Sequence, residues 1–163
     1  MLMPRQTNED GSIIYPDSDG QPMADNTRQF RWIYVLAGNL AILFYDRDDL
    51  LVGCNHFWYP VEGDPKIRAA PNVYVVFGRP KGERGSYKQW EEGGVPITVA
   101  FEVVFPGASG LDWLKRMALY EEYGVEEYYA YDPDTNCLYG FRRLNDALPR
   151  VRQMNGFEVD PFV

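Results

Sequence analysis

The sequence predicts an α/β chain of the α+β kind, with a mixed β-sheet flanked by α-helices. Three observations carry this. The apolar periodicity switches along the chain, from a helical stretch to three strand-like runs, then a helix, then two more strands. Hydrophobic residues make up 45% of the 163 positions and aromatic residues 15%, enough for a packed core and too much for disorder. The length suits one domain. We therefore read residues 1–163 as a single domain: an N-terminal arm (1–24), a core (25–143) and a C-terminal tail (144–163).

The arm, rich in Pro, Asp, Ser and Gly, reads as a loose surface segment. Asn26 or Thr27 can cap a helix running to about Phe44. Its apolar positions Phe30, Ile33, Val35, Leu36, Leu40 and Leu43 lie at roughly helical spacing, and Gly38-Asn39 weakens its middle. Leu50 to Cys54 is an apolar run suited to a strand. Asn72 to Phe77, bounded by Pro71 and Gly78, is a second. Residues 78–96 form a long polar connection, a length that is usually functional or mobile in a compact domain.

Ile97 to Phe105 is the strongest strand. Ser109 opens a helix that ends near Gly124, a plausible C′ glycine. Glu126 to Tyr131 and Cys137 to Arg142 form a hairpin turning at Asp132-Pro133-Asp134-Thr135-Asn136. The chain beyond about Leu144 carries no clear pattern. Tyr120, Tyr123, Tyr128, Tyr129, Tyr131 and Tyr139 load the C-terminal part with a residue type enriched in interface cores, which suggests a homodimer.

Charge and composition exclude several classes. The formal net charge is −8, unfavourable for general binding to nucleic-acid phosphates, although a local patch can do what the total cannot. Cys54 and Cys137 lie far apart, and two cysteines make neither a secreted disulfide scaffold nor a zinc-ribbon spacing. No apolar run is long enough to span a membrane. The first ten residues lack the apolar stretch of a signal peptide, so the cytoplasm is the expected compartment. There is no phosphate-binding or nucleophile-elbow glycine motif.

Four features are candidates for chemistry. Glu102 lies within the strongest strand, on the face it shares with Thr98, Ala100 and Val104. A charge there is costly unless it is paired or bound to a metal, so it is either a metal-ligating carboxylate, a solvated Glu or half of an ion pair. Lys115 follows on the next helix, where an ammonium can orient a water or stabilise developing negative charge. The competing reading is an exposed Asp112–Lys115 pair, with Asp112 also closing a capping box from Ser109. Arg79, Lys81, Arg84 and Lys88 make the connection locally basic among glycines, a pattern suited to phosphate contact or simply to a solvated loop. His56 has no partner at metal-ligand spacing and reads as structural or exposed.

In order along the chain, several segments resemble a bacterial branch of the PD-(D/E)XK nuclease-like, restriction-endonuclease-like proteins. They are Trp58-Tyr59-Pro60-Val61-Glu62-Gly63, Ala70-Pro71-Asn72-Val73, Gly78-Arg79-Pro80-Lys81-Gly82, Arg84 to Trp90, Phe101-Glu102-Val103 and Tyr123 to Tyr129. The resemblance spans roughly residues 22–143. It implies a restriction-endonuclease-like core with one divalent metal site for Mg²⁺ or Mn²⁺, DNA as partner, and two paired subunits. It places the family's first acid at Asn72 and the second at Glu102, with Lys115 as the lysine and Asp112 beside it. The implied catalytic set is thus Asn72, Glu102 and Lys115. The implied metal ligands are Glu102, Asn72 and Asp112, and Arg79, Lys81, Arg84 and Lys88 would touch nucleic acid.

This sequence departs from the pattern. Asn72 stands where the family has Asp after Pro, Asn55 where an Asp usually precedes Trp-Tyr-Pro, and Phe105-Pro106 where Ser-Pro follows. Val104 stands where PD-(D/E)XK enzymes usually carry their lysine. The expectation is a metal-dependent DNA endonuclease, impaired at Asn72 unless another carboxylate such as Glu62 substitutes. The alternatives are a catalytically inactive nuclease-fold module binding DNA or protein, and a scaffold without a nucleic-acid role.

Overall fold

A computed structural model describes residues 7–18, 20, 22–104, 110–145 and 147–155; for 110–112 and 150–155 it describes the backbone alone. The expected openings at Phe105 and Ser109 lie outside these residues. The elements are α1 (Thr27–Leu43), β1 (Leu50–Gly53), β2 (Trp58–Tyr59), β3 (Val73–Phe77), β4 (Tyr87–Lys88) and β5 (Val99–Val103), followed by α2 (Gly110–Glu122), β6 (Glu127–Asp132), β7 (Cys137–Arg142) and β8 (Arg150–Asn155). Six strands form one sheet in the order β1-β3-β5-β6-β7-β8, and β2 pairs with β4 in a second, two-stranded sheet. The large sheet is mixed. β5 and β6 are parallel and joined through α2, while every other neighbour pair is antiparallel. This is the mixed, helix-flanked sheet that the alternating periods predict.

Local chemistry explains the boundaries. Asn26 caps α1, its side chain accepting from the Gln29 N–H at 3.0 Å. Asn39 does not break the helix, because its amide donates to the Val35 carbonyl at 2.7 Å. The face of α1 that meets the sheet differs from the expected one. Ile33, Leu36, Ala37 and Leu40 pack inward with Trp32, whereas Phe30, Val35 and Leu43 are exposed. Positions 33, 36, 37 and 40 are the narrower stripe that a helix on a flat sheet buries.

Gly124, at φ 93°, ends α2, and the Val125 N–H returns to the Tyr120 carbonyl at 3.0 Å. The β6–β7 turn is held by the Asp132 carboxylate, which accepts from the Asp134 N–H at 2.9 Å and the Thr135 hydroxyl at 2.8 Å.

The two faces of the sheet carry separate cores. Val73, Phe101 and Val103 meet α1 on one face. Tyr74, Val76, Ala100, Tyr128, Ala130 and Phe141 meet the other layer, to which α2 contributes Trp113, Met117 and Tyr120 and the small sheet contributes Trp58 and Tyr87. Glu102 has the same parity as Ala100, so it projects toward α2.

The basic connection is fastened by β2 and β4, which the sequence pattern does not reveal because each is two residues long. The Tyr87 N–H reaches the Phe57 carbonyl at 2.8 Å, and the Trp58 indole donates to Gln89 at 3.1 Å. The described part of the arm is also anchored. Tyr59 donates to the Pro16 carbonyl at 2.6 Å, and Tyr15 packs on Tyr59 and Trp90.

Four of the tyrosines that suggested an interface pack within the chain. Tyr120 and Tyr128 are fully buried, Tyr129 stacks on Phe101, and Tyr131 packs on Trp32. Tyr120 and Tyr128 fill this chain's own core, so those two are not available to a partner.

Candidate functional site

The site forms at the carboxyl end of β5, an end where α/β sheets commonly place ligands. Register brings its residues together. Val73 lies opposite Phe101 in the antiparallel β3–β5 pair, so the residue just before β3, Asn72, reaches the level of Glu102. A cavity of about 560 Å³ opens over them. Asn55, His56, Asn72, Glu102, Trp113, Arg116 and Tyr128 are among its lining residues, and Met23, Asp25 and Gln29 close it from the arm and α1.

Glu102 is 3% exposed. One carboxylate oxygen accepts from the Arg116 guanidinium at 2.8 Å, and the other accepts from the Tyr120 hydroxyl at 2.8 Å. Burial pushes the Glu102 carboxyl above its ordinary range, while Arg116, Tyr120 and the Asn72 backbone oppose that shift. The same ion pair raises Arg116, and burial followed by the Glu102 charge raises Tyr120. Of the readings open to Glu102, the solvated one is ruled out, and the structure shows it in an ion pair.

Asn72 is 8% exposed. Its Oδ1 accepts from the Val103 N–H at 2.8 Å and its Nδ2 donates to Asn55 Oδ1 at 3.3 Å. Asn55 sits at φ 52°, a left-handed conformation that Asn tolerates. Two buried groups in this region, Asn55 Nδ2 and the Tyr128 hydroxyl, make no hydrogen bond of ordinary geometry. His56 is half-buried with Nδ1 3.3 Å from the Tyr74 hydroxyl, and burial lowers its pKa.

The structure thus brings Asn72 and Glu102 together and presents Arg116 to them. Lys115 is exposed and does not line the cavity. Consecutive helical residues are about 100° apart, and the buried stripe of α2 runs through Trp113, Met117 and Tyr120. Arg116, between Trp113 and Tyr120 on that stripe, is therefore the residue aimed at Glu102. That stripe, read against the i, i+3, i+4 rule, is the sequence signal that picks Arg116 and Tyr120 over Lys115. Asp112 lies in the first turn of α2, and its side chain falls outside the described residues. Glu62 does not line the cavity.

The four basic residues of the connection bind the protein itself. Arg84 grips Glu92 through two contacts, at 2.5 and 3.2 Å, and Lys88 reaches Glu91 at 3.2 Å. Arg79 donates to the Gly78 and Glu92 carbonyls, and Lys81 donates to the Tyr45 carbonyl. The local positive charge is largely offset within the loop.

The donor set does not fit a hard divalent ion as it stands. Mg²⁺ requires anionic or carbonyl oxygens with free lone pairs. Glu102 is already neutralised by a guanidinium, and Asn72 supplies a neutral amide oxygen where a second carboxylate would stand. Among the described residues no three His, Cys, Asp or Glu side chains are grouped to hold a metal.

A mixed sheet with a crossover helix, carrying a buried carboxylate at the end of its central strand, defines a restriction-endonuclease-like fold. The sequence model of the Uma2 family, described as "Putative restriction endonuclease", matches residues 19–160, and the chain belongs to that family. In fold it is similar to the crystal structure of a "putative nuclease belonging to DUF820" from Anabaena variabilis, with a TM-score of 0.55 and 13% identity over 93% of this chain and 78% of that one. No curated protein matches the chain. No described helix is long and apolar enough to cross a membrane.

Proposed function

We propose that this chain is a nuclease-type protein that engages DNA phosphodiesters at the Glu102 cavity and hydrolyses them with strongly attenuated efficiency. The observation that carries the reading is the state of Glu102, a buried strand-end carboxylate already paired with Arg116 and bonded by Tyr120, with Asn72 rather than an acid beside it. Family membership points to DNA. The offset charges of the 79–88 loop and the net charge of −8 argue for a weak, locally contacted complex rather than a broad phosphate grip.

A second reading, a Mg²⁺-dependent endonuclease, is favoured by one observation. The Arg116 side chain is 45% exposed and has room to withdraw from Glu102. Such an enzyme would use Glu102 and Asn72 as ligands, with Asp112 as the remaining acid and Lys115 as the cation implied by the resemblance.

Two assays separate the readings. Labelled DNA binding is followed across a salt series, and plasmid nicking is followed with Mg²⁺ or Mn²⁺ beside a Glu102→Ala control. Salt-sensitive binding with nicking near background supports attenuation. Vigorous, Glu102-dependent nicking supports the second reading, and an absence of binding at low salt refutes both.

A further inference from the structure

Both oxygens of Glu102 already accept a hydrogen bond, one of them from a cation. Arg116 and Tyr120 each hold one carboxylate oxygen at 2.8 Å. A carboxylate that coordinates a small dication presents a lone pair to it at roughly 2.0–2.6 Å. Beside Glu102, a lone pair that faces the cavity already accepts from a cation. The nearby buried groups without a hydrogen bond, Asn55 Nδ2 and the Tyr128 hydroxyl, are neutral, and Nδ2 offers a cation no lone pair.

We propose that Arg116 is the resident cation of this cavity. Its guanidinium sits on Glu102 in the place of a divalent ion and closes the site to such ions. The inference rests on the reading of the cavity as the nuclease-type site. It goes beyond that reading by assigning the exclusion to one residue and by identifying a latent metal site beneath it.

The physical case has three parts. A fixed unit charge a few ångströms from a dication opposes its entry, and the effect is strongest where water is scarce. An arginine cannot surrender its proton to make room, as a lysine can, so it must leave bodily. Leaving is opposed by Glu102, which would remain charged at 3% exposure without its main partner. The route out exists, because the Arg116 side chain is 45% exposed, so the site is closed by an ion pair and not by a wall.

The position on α2 makes this specific. Trp113 and Tyr120 bracket Arg116 on the buried stripe and fix the helix rotation, and Tyr120 also donates to the same carboxylate. Removing the guanidinium while keeping the hydrophobic stem leaves Glu102 with Tyr120 on one oxygen and a free lone pair on the other. Asn72 Oδ1, which has a second lone pair, lies on the same cavity.

Metal binding tests this directly. Free Mn²⁺ is titrated into the full chain and followed by electron paramagnetic resonance, for wild type, Arg116→Met, Arg116→Lys and the double variant Arg116→Met/Glu102→Gln. Arg116→Met is expected to bind one ion at least about ten-fold more tightly than wild type. The double variant is expected to lose that site. Wild type binding one ion as tightly as Arg116→Met overturns the proposal, and so does a folded Arg116→Met that binds no better than wild type. If Arg116→Met does not fold, by circular dichroism, Arg116→Lys decides. Its single ammonium yields the carboxylate more readily, so affinity above wild type supports the proposal and equal affinity overturns it. Plasmid nicking on the same preparations keeps the two readings apart: vigorous, Glu102-dependent cutting by the wild type refutes attenuation, and the Mn²⁺ titration judges Arg116.

Discussion

Replacing Arg116 with alanine should destabilise the fold through Glu102, and the size of the effect follows from the geometry. Removing one partner of a fully buried ion pair costs about 3–5 kcal/mol, because the remaining charge is left uncompensated. Here Glu102 is 3% exposed but the Arg116 side chain is 45% exposed, so water already screens the guanidinium. That discount brings the expectation to about 1–3 kcal/mol. At this chain length each kcal/mol moves the midpoint by about 2–4 °C, so the melting temperature should fall by roughly 2–12 °C.

The pH dependence has a definite sign. The Glu102 carboxyl is raised in the folded state, mainly by desolvation, so its charged form costs stability. That cost is absent below the ordinary carboxylate range and complete once pH has risen through the raised folded value. Arg116 opposes the shift, so its loss raises the carboxyl further. The deficit of Arg116→Ala relative to wild type should therefore be larger at pH 8 than at pH 5. Adding Glu102→Gln should recover part of it, since the uncompensated charge is gone. Thermal melts of wild type, Arg116→Ala and Arg116→Ala/Glu102→Gln at both pH values measure all of this. An Arg116→Ala protein as stable as wild type at pH 8, or a deficit that grows as pH falls, refutes the reasoning.

Three further outcomes follow from the same structure. Tyr120→Phe removes a donor to a buried carboxylate and should cost about 1.5–3 kcal/mol in urea denaturation. Gly53→Ala drives a methyl group into the buried Tyr74 ring and should cost about 1–3 kcal/mol by the same measurement, whereas Gly38→Ala, which meets open space inside α1, should stabilise by about 0.5–1 kcal/mol. Adding Mg²⁺ should leave the wild-type melting temperature unchanged, because an ion that does not bind the folded chain cannot shift it, and it should raise that of Arg116→Met.

Much of the fold was legible because its signals are local. The capping Asn26, the Gly124 terminus and the Asp132 turn each act over a few residues, and each appears where the pattern places it, while β5 opens at Val99 rather than at the expected Ile97. The pairing of β2 with β4 was not legible. Two-residue strands have no periodicity, and Trp58 and Tyr87 meet only through the tertiary fold. Glu102 was legible as a candidate from the cost of a strand-borne charge, and Asn72 only through the family resemblance. The cation beside them was not fixed by spacing along the chain. Lys115 and Arg116 differ only in helical rotation, and the deciding cue was the Trp113–Met117–Tyr120 stripe. The internal partners of the 79–88 basic run were not legible either, because its guanidinium and ammonium groups meet carbonyls and carboxylates that the folded loop brings to them.

The central claim is that this chain keeps a nuclease-type site and has lost most of its hydrolysis there, with the missing acid at position 72 a principal cause. The direct measurement is plasmid cleavage at equal Mn²⁺ by wild type, Asn72→Asp and Asn72→Asp/Glu102→Ala. Asp at this position keeps the bond from the Val103 N–H, and rotation of the Asn55 amide can turn its unpartnered Nδ2 toward the new carboxylate. The added negative charge strengthens the pull on the metal. Loss of one such electrostatic stabiliser typically costs on the order of 10²–10³ in rate. The account predicts near-background cleavage by wild type, a measurable gain for Asn72→Asp, and its abolition in the double variant. Vigorous cleavage by wild type that Asn72→Asp leaves unchanged contradicts it.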